Sequence, residues 1–256
     1  MKKNYTHIVM VIDESGSMAP QRDDTIGGVN AFIHEQKEYP RPFHSGSRVL
    51  PAEKMVPADP HMKGTISLYT FGGRVRQVYT MKHLASAPNL TASTYKPSGS
   101  TPLLDALGRA ITETGDDLRA MREDERPDKV IVLIVTDGHE NASFTFSKER
   151  ITDMVALQRD LYHWEFVFIG ADINAIDVGA LYGMPRETSL QYDKGATYST
   201  YAVASANVMR SRVTGQSMAF SDSDRDIAMG GDPGWLSDEK KKTKQTASTD
   251  SGKKES

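Results

Sequence analysis

The chain has 256 residues, 38% hydrophobic and 25% charged, with a formal net charge of −3. That length suffices for one domain with a sizeable core, and the charge offers no general attraction for nucleic acid or an acidic membrane surface. Cysteine is absent, which excludes disulfides and thiolate metal sites.

The start, Met1-Lys2-Lys3-Asn4-Tyr5-Thr6-His7, is basic, but only the short apolar run Ile8-Val9-Met10-Val11-Ile12 follows before Asp13. A secretory core needs about 7–15 apolar residues, and a bilayer span about 20. The expectation is a cytoplasmic protein without a membrane anchor.

The stretch Tyr5–Ile12 reads as a buried strand, and Asp13-Glu14-Ser15-Gly16-Ser17 leaves its C-terminal end. Alternate residues of an extended or turning chain point the same way, so Asp13, Ser15 and Ser17 converge on one point. One carboxylate and two hydroxyls suit a hard cation such as Mg²⁺. The same residues also fit an ordinary turn, with Ser17 as a helix cap. A helix over Thr25–Glu38 follows, with Ile26, Val29, Phe32 and Ile33 at helical spacing.

Residues 40–63 hold five of the chain's 12 prolines and read as a loop insertion, longer than the usual α/β connection of about 2–6 residues. Thr65–Phe71 and Arg74–Tyr79 are strand-like, and the Gly72-Gly73 pair between them predicts a hairpin. Ser98-Gly99-Ser100-Thr101-Pro102 leads into a helix whose apolar stripe is Leu103, Leu104, Leu107, Ala110 and Ile111. Lys129–Thr136 and Glu165–Gly170 are almost wholly apolar, as in strands covered on both faces. Between them, Ser147 caps a helix reaching about Leu161, with Ile151, Met154, Val155 and Leu157 inward. Two further helices are expected, over Ala175–Tyr182 and over Ala196–Val213, the second burying Ala202, Ala206, Met209 and Val213.

Strands alternating with helices predict a doubly wound α/β fold: a mostly parallel central sheet with one antiparallel edge strand and helices on both faces. The domain is drawn over residues 1–214. Beyond it the apolar periodicity disappears, and residues 215–256 read as a charged, disordered tail whose Lys240–Lys244 run is simply solvated.

Thr101 and the Thr136-Asp137-Gly138 segment add oxygen side chains at a helix start and a strand end, beside the first loop. With these in place the chain resembles the von Willebrand factor type A domains that carry a metal-ion-dependent adhesion site. The family pattern, Asp-x-Ser-x-Ser with a later loop Thr and loop Asp, matches Asp13, Ser15, Ser17, Thr101 and Asp137. The resemblance spans roughly Tyr5 to Val213 and has the flavour of stand-alone bacterial and phage members. It implies that the three hydroxyls coordinate Mg²⁺ (or Mn²⁺) directly, while Asp13 and Asp137 act through water or hydrogen bonds. So few anionic ligands leave the ion electrophilic, with an open position for an Asp or Glu carboxylate of a protein partner.

His139, Glu140 and Asn141 read as a polar rim, and Asp105 as a complement to a helix N-terminus. Trp164 and Phe166 read as core, and Tyr198 and Tyr201 as helix packing. No nucleophile elbow, phosphate-binding loop or dinucleotide fingerprint is present. The leading function is therefore a metal-dependent protein-binding module, not an enzyme. A structural or assembly component with a merely stabilising metal comes second, and a metal-dependent hydrolase third.

Overall fold

The computed structural model describes residues 1–38 and 63–232; the proline-rich insertion and the Lys-rich run lie outside the described residues. Six strands form one sheet: β1 (Lys2–Asp13), β2 (Lys63–Phe71), β3 (Val75–His83), β4 (Pro127–Thr136), β5 (Glu165–Ala171) and β6 (Ser189–Tyr192). Their spatial order is β3-β2-β1-β4-β5-β6. Every pairing is parallel except β2 with β3, so β3 is the antiparallel edge strand that the double glycine predicts. The four-residue β6 has no counterpart in the sequence reading, because it is too short to show a period.

Alternation along the strands separates two apolar layers. Ile8, Met10 and Ile12 of β1 face one layer with Ile131, Leu133 and Val135 of β4; Val9 and Val11 face the other with Val132 and Ile134. Helices α1 (Arg22–Glu38) and α5 (Thr197–Thr214) cover the first face, and α2 (Leu103–Ala120), α3 (Lys148–Tyr162) and α4 (Ala175–Leu181) the second. Trp164 and Phe166 are buried in the second layer, their rings stacked 6.4 Å apart.

Three expectations need correction. In α3, Ile151 and Val155 are buried but Leu157 is 51% exposed, because it lies about 120° around the helix from Ile151. In α5 only Met209 of the expected stripe is buried: Ala202, Ala206 and Val213 are half-buried, while Tyr201, Ala204, Ser205, Val208, Ser211 and Arg212 point inward. Ser205, Ser211 and Arg212 find polar partners there: Gln36 donates to Ser205 Oγ (2.9 Å), Arg212 to Gln36 Oε1 (2.8 Å) and Lys129 to Ser211 Oγ (2.6 Å). Tyr201 is packed as expected, whereas Tyr198 is 48% exposed.

The packed chain also continues past residue 214. Met218 and Phe220 are buried in the first layer, and a short helix α6 (Asp222–Ala228) follows, opened by a Ser221–Asp224 capping box. Phe220 N donates to Glu187 O, Arg225 to Ser189 O (2.8 Å), and Asp193 N to Ala228 O. The segment thus braces both ends of β6. Among the described residues no helix is long and apolar enough to cross a membrane.

Candidate metal centre

The order of strands reverses between β1 and β4, and ligand sites of open α/β sheets form at the carboxyl ends of strands where this happens. Asp13 ends β1 and Asp137 directly follows β4, so the chain delivers both carboxylates to that crevice. Both residues are buried.

Asp13 is held entirely by its neighbours. Its Oδ1 accepts the Ser15 backbone N–H (2.7 Å) and its Oδ2 the Thr136 hydroxyl (2.6 Å), while Tyr95 OH donates to its carbonyl (2.6 Å). Burial nevertheless holds the Asp13 carboxyl above its ordinary range; the hydrogen bonds from Thr136 and Ser15 counter this only in part, and the Asp137 charge adds to it. Two buried carboxylates facing each other create a demand for positive charge.

The hydroxyls of Ser15 and Ser17 are hydrogen-bonded at 3.0 Å, and Ser17 Oγ donates to Asp137 Oδ1 (2.6 Å). Four of the five residues of the sequence pattern are therefore joined by direct contacts. Thr101 enters from the other side. It is buried, its N–H donates to Asn141 Oδ1 (2.8 Å), and its carbonyl accepts the Asn141 N–H. A Cβ on Gly138 would sit 3.5 Å from Thr101 Oγ1, which places that hydroxyl against the Asp137 loop.

The loops are locked by close backbone approach. A Cβ on Gly72 would lie 2.4 Å from Glu14 O and 2.6 Å from Ser98 O, and Gly99 has φ +78 against Gly73. Gly16 N donates to Gly99 O and Ser98 N to Glu14 O, stitching the first loop to the loop before α2. Glu14, itself buried, accepts Arg76 (2.5 Å) on one oxygen and the Lys96 N–H on the other.

Glu140 has a larger part than a rim residue. Its carboxylate accepts the N–H groups of Leu104 (2.8 Å), Ala142 (2.8 Å) and Ser143 (2.6 Å) and the Ser143 hydroxyl (2.8 Å). It fixes the loop after Asp137 to the start of α2, just beyond Thr101. Asp105 acts likewise, accepting the N–H groups of Phe144, Thr145 and Phe146 rather than merely complementing the dipole of its own helix. His139 is exposed.

Two residues at the centre have no signature in the sequence. Gln21 Nε2 donates to Asp137 Oδ2 (3.1 Å), and its Oε1 accepts the hydroxyls of Thr197 (3.0 Å) and Tyr192 (3.3 Å). Lys194 Nζ reaches the same Asp137 oxygen (2.9 Å) and also Asp172 Oδ2 (2.7 Å). Burial works to lower the Lys194 pKa, but the two carboxylates together raise it above its usual value.

The five side chains offer only oxygen: two carboxylates and three hydroxyls from three separate loops. Such a set fits a small hard divalent cation and not a soft one.

Neither protein-family models nor curated proteins give a match to this chain. Solved structures do. The vWF domain of the type V pili tip protein Mfa5 from Porphyromonas gingivalis aligns with a TM-score of 0.51 and 9% identity, over 85% of this chain and 98% of that one. Proximal thread matrix protein 1 from the mussel byssus gives 0.49 and 14%, over 79% of this chain and 45% of that one, so the chain spans less than half of that protein. Manganese-loaded TRAP from Plasmodium vivax gives 0.47 and 18%, over 78% and 72%. With its strand order, its single antiparallel edge strand and its alignment over nearly the whole Mfa5 domain, the chain has the fold of a von Willebrand factor type A domain.

Proposed function

We propose that this chain is a metal-dependent protein-binding module in which Asp13, Ser15, Ser17, Thr101 and Asp137 hold Mg²⁺ or Mn²⁺. The observation that carries the reading is the joining of Asp13, Ser15, Ser17 and Asp137 across the reversal of strand order. When bound, the ion supplies an electrophilic position for an Asp or Glu carboxylate of a partner protein. The chain's own residues orient the site. Thr136 and the Ser15 N–H fix Asp13, Ser17 and Gln21 fix Asp137, and Asn141 with Glu140 fixes the Thr101 loop.

Binding is favoured over catalysis because both carboxylates are occupied by hydrogen bonds from protein groups, which leaves neither as a ready general base. A cytoplasmic setting fits a chain without cysteine.

Calorimetry with Mn²⁺ should show one site in the wild type and none in Asp13→Ala; equal binding would remove the metal assignment. Partner capture should disappear with EDTA and with Thr101→Ala, at an unchanged melting temperature. Capture that survives both would place the contact elsewhere and leave the metal a stabilising part of an assembly component.

A further inference from the structure

We propose that Lys194 is a tethered counter-cation that keeps the site's affinity for its divalent ion low until an anionic ligand arrives. The inference rests on the metal-binding reading above. Its geometric basis is the reach of Lys194, which stands on the short turn after β6. From there the side chain crosses the end of β5, where Asp172 receives it at 2.7 Å, and meets Asp137 Oδ2 beyond β4 at 2.9 Å. Asp172 is presented by a backbone in the left-handed region, φ 54, which aspartate adopts more readily than most residues. A lysine without a role would extend into water and keep its rotamer freedom. Here it is spent on a fully buried carboxylate.

Asp137 is one of only two carboxylates in the five-residue set. Its Oδ1 is engaged by Ser17, and its Oδ2 is shared by Gln21 and Lys194. The ammonium therefore balances the charge that would otherwise draw in a divalent ion, and it repels that ion directly. The consequence concerns the order of binding. With Asp137 already balanced, the site holds a metal weakly by itself, and the carboxylate of a partner supplies the missing negative charge. Metal and partner then raise each other's affinity by the same factor, as linkage requires.

The test uses the full chain and Mn²⁺ alone, titrated calorimetrically into the wild type, Lys194→Met and Lys194→Arg at low ionic strength. Methionine keeps the length and apolar stem but removes the charge, so it should bind Mn²⁺ about tenfold more tightly or better. Arginine keeps the charge and should stay within about threefold of the wild type. A folding defect weakens binding, so a gain in Lys194→Met does not arise from a merely structural role. Equal or weaker binding by Lys194→Met, or the same gain in Lys194→Arg, overturns it and leaves the metal reading standing. Silence from all three proteins overturns both.

Discussion

Removing residues 216–256 should destabilise the domain severely, although composition alone predicts that everything after Gly215 is dispensable. The truncation strips Met218 and Phe220 from the first apolar layer, where they are 3% and 7% exposed. Burying a side chain of that size contributes about 1.5–3 kcal/mol, so the two together account for about 3–6 kcal/mol. The backbone hydrogen bonds of Phe220 to Glu187 and of Asp193 to Ala228 add about 1 kcal/mol each. A loss of about 5 kcal/mol or more rivals the whole stability of a modest domain, about 5–15 kcal/mol. For a domain of this size it lowers the melting temperature by about 10–20 °C. Phe220→Ala in the full chain isolates the largest component and should cost about 3 kcal/mol. Thermal and urea unfolding followed by circular dichroism measure both. A truncated chain that melts within about 2 °C of the full protein would refute the packing argument.

Other expectations follow from single contacts. His7 is fully buried between Thr65 Oγ1 and Ser67 Oγ, and burial pushes its pKa down to about 3. The unfolded chain binds the proton near pH 6.5, so the stability contributed by neutral His7 is complete above that pH. It is lost as the pH falls toward 3, with a slope approaching about 1.4 kcal/mol per pH unit. Urea midpoints between pH 7 and 4 should fall more steeply for the wild type than for His7→Gln; parallel curves would rule this out. Glu140→Ala removes four hydrogen bonds, three that shape the loop after Asp137 and one that ties it to Leu104 at the start of α2. It should weaken Mn²⁺ binding about tenfold by loosening Thr101, with Glu140→Gln milder; undiminished affinity in calorimetry would show that the loop holds itself. In Gly28→Ala the new Cβ would meet Tyr201 Cδ2 at 2.3 Å. Overpacking of about 1–3 kcal/mol should exceed the gain of about 1 kcal/mol in helix propensity, and a higher melting temperature would contradict that balance.

The central strands were legible because β1, β4 and β5 are buried on both faces, and a run such as Val130–Val135 has few other uses. That Asp13, Ser15, Ser17 and Asp137 are neighbours was legible for a related reason: a strand end followed by Asp, Ser and Gly marks where a side chain leaves the sheet, and the doubly wound order then says which ends are adjacent. The inward face of α5 was not legible. Ser205, Ser211 and Arg212 are buried in hydrogen bonds with Gln36 and Lys129, so polarity no longer reports exposure. The packing of Met218 and Phe220 was hidden as well, because isolated apolar residues in a polar stretch carry no period. Lys194 and Gln21 are the sharpest case. Each is an ordinary polar residue in sequence, and each touches Asp137 only because the fold brings the turn before α1 to the end of β4 and lets the turn after β6 reach it across the end of β5. Local chemistry nominated the five oxygen-bearing residues, and the tertiary structure alone decided which charges surround them, since long side chains select partners by distance in space.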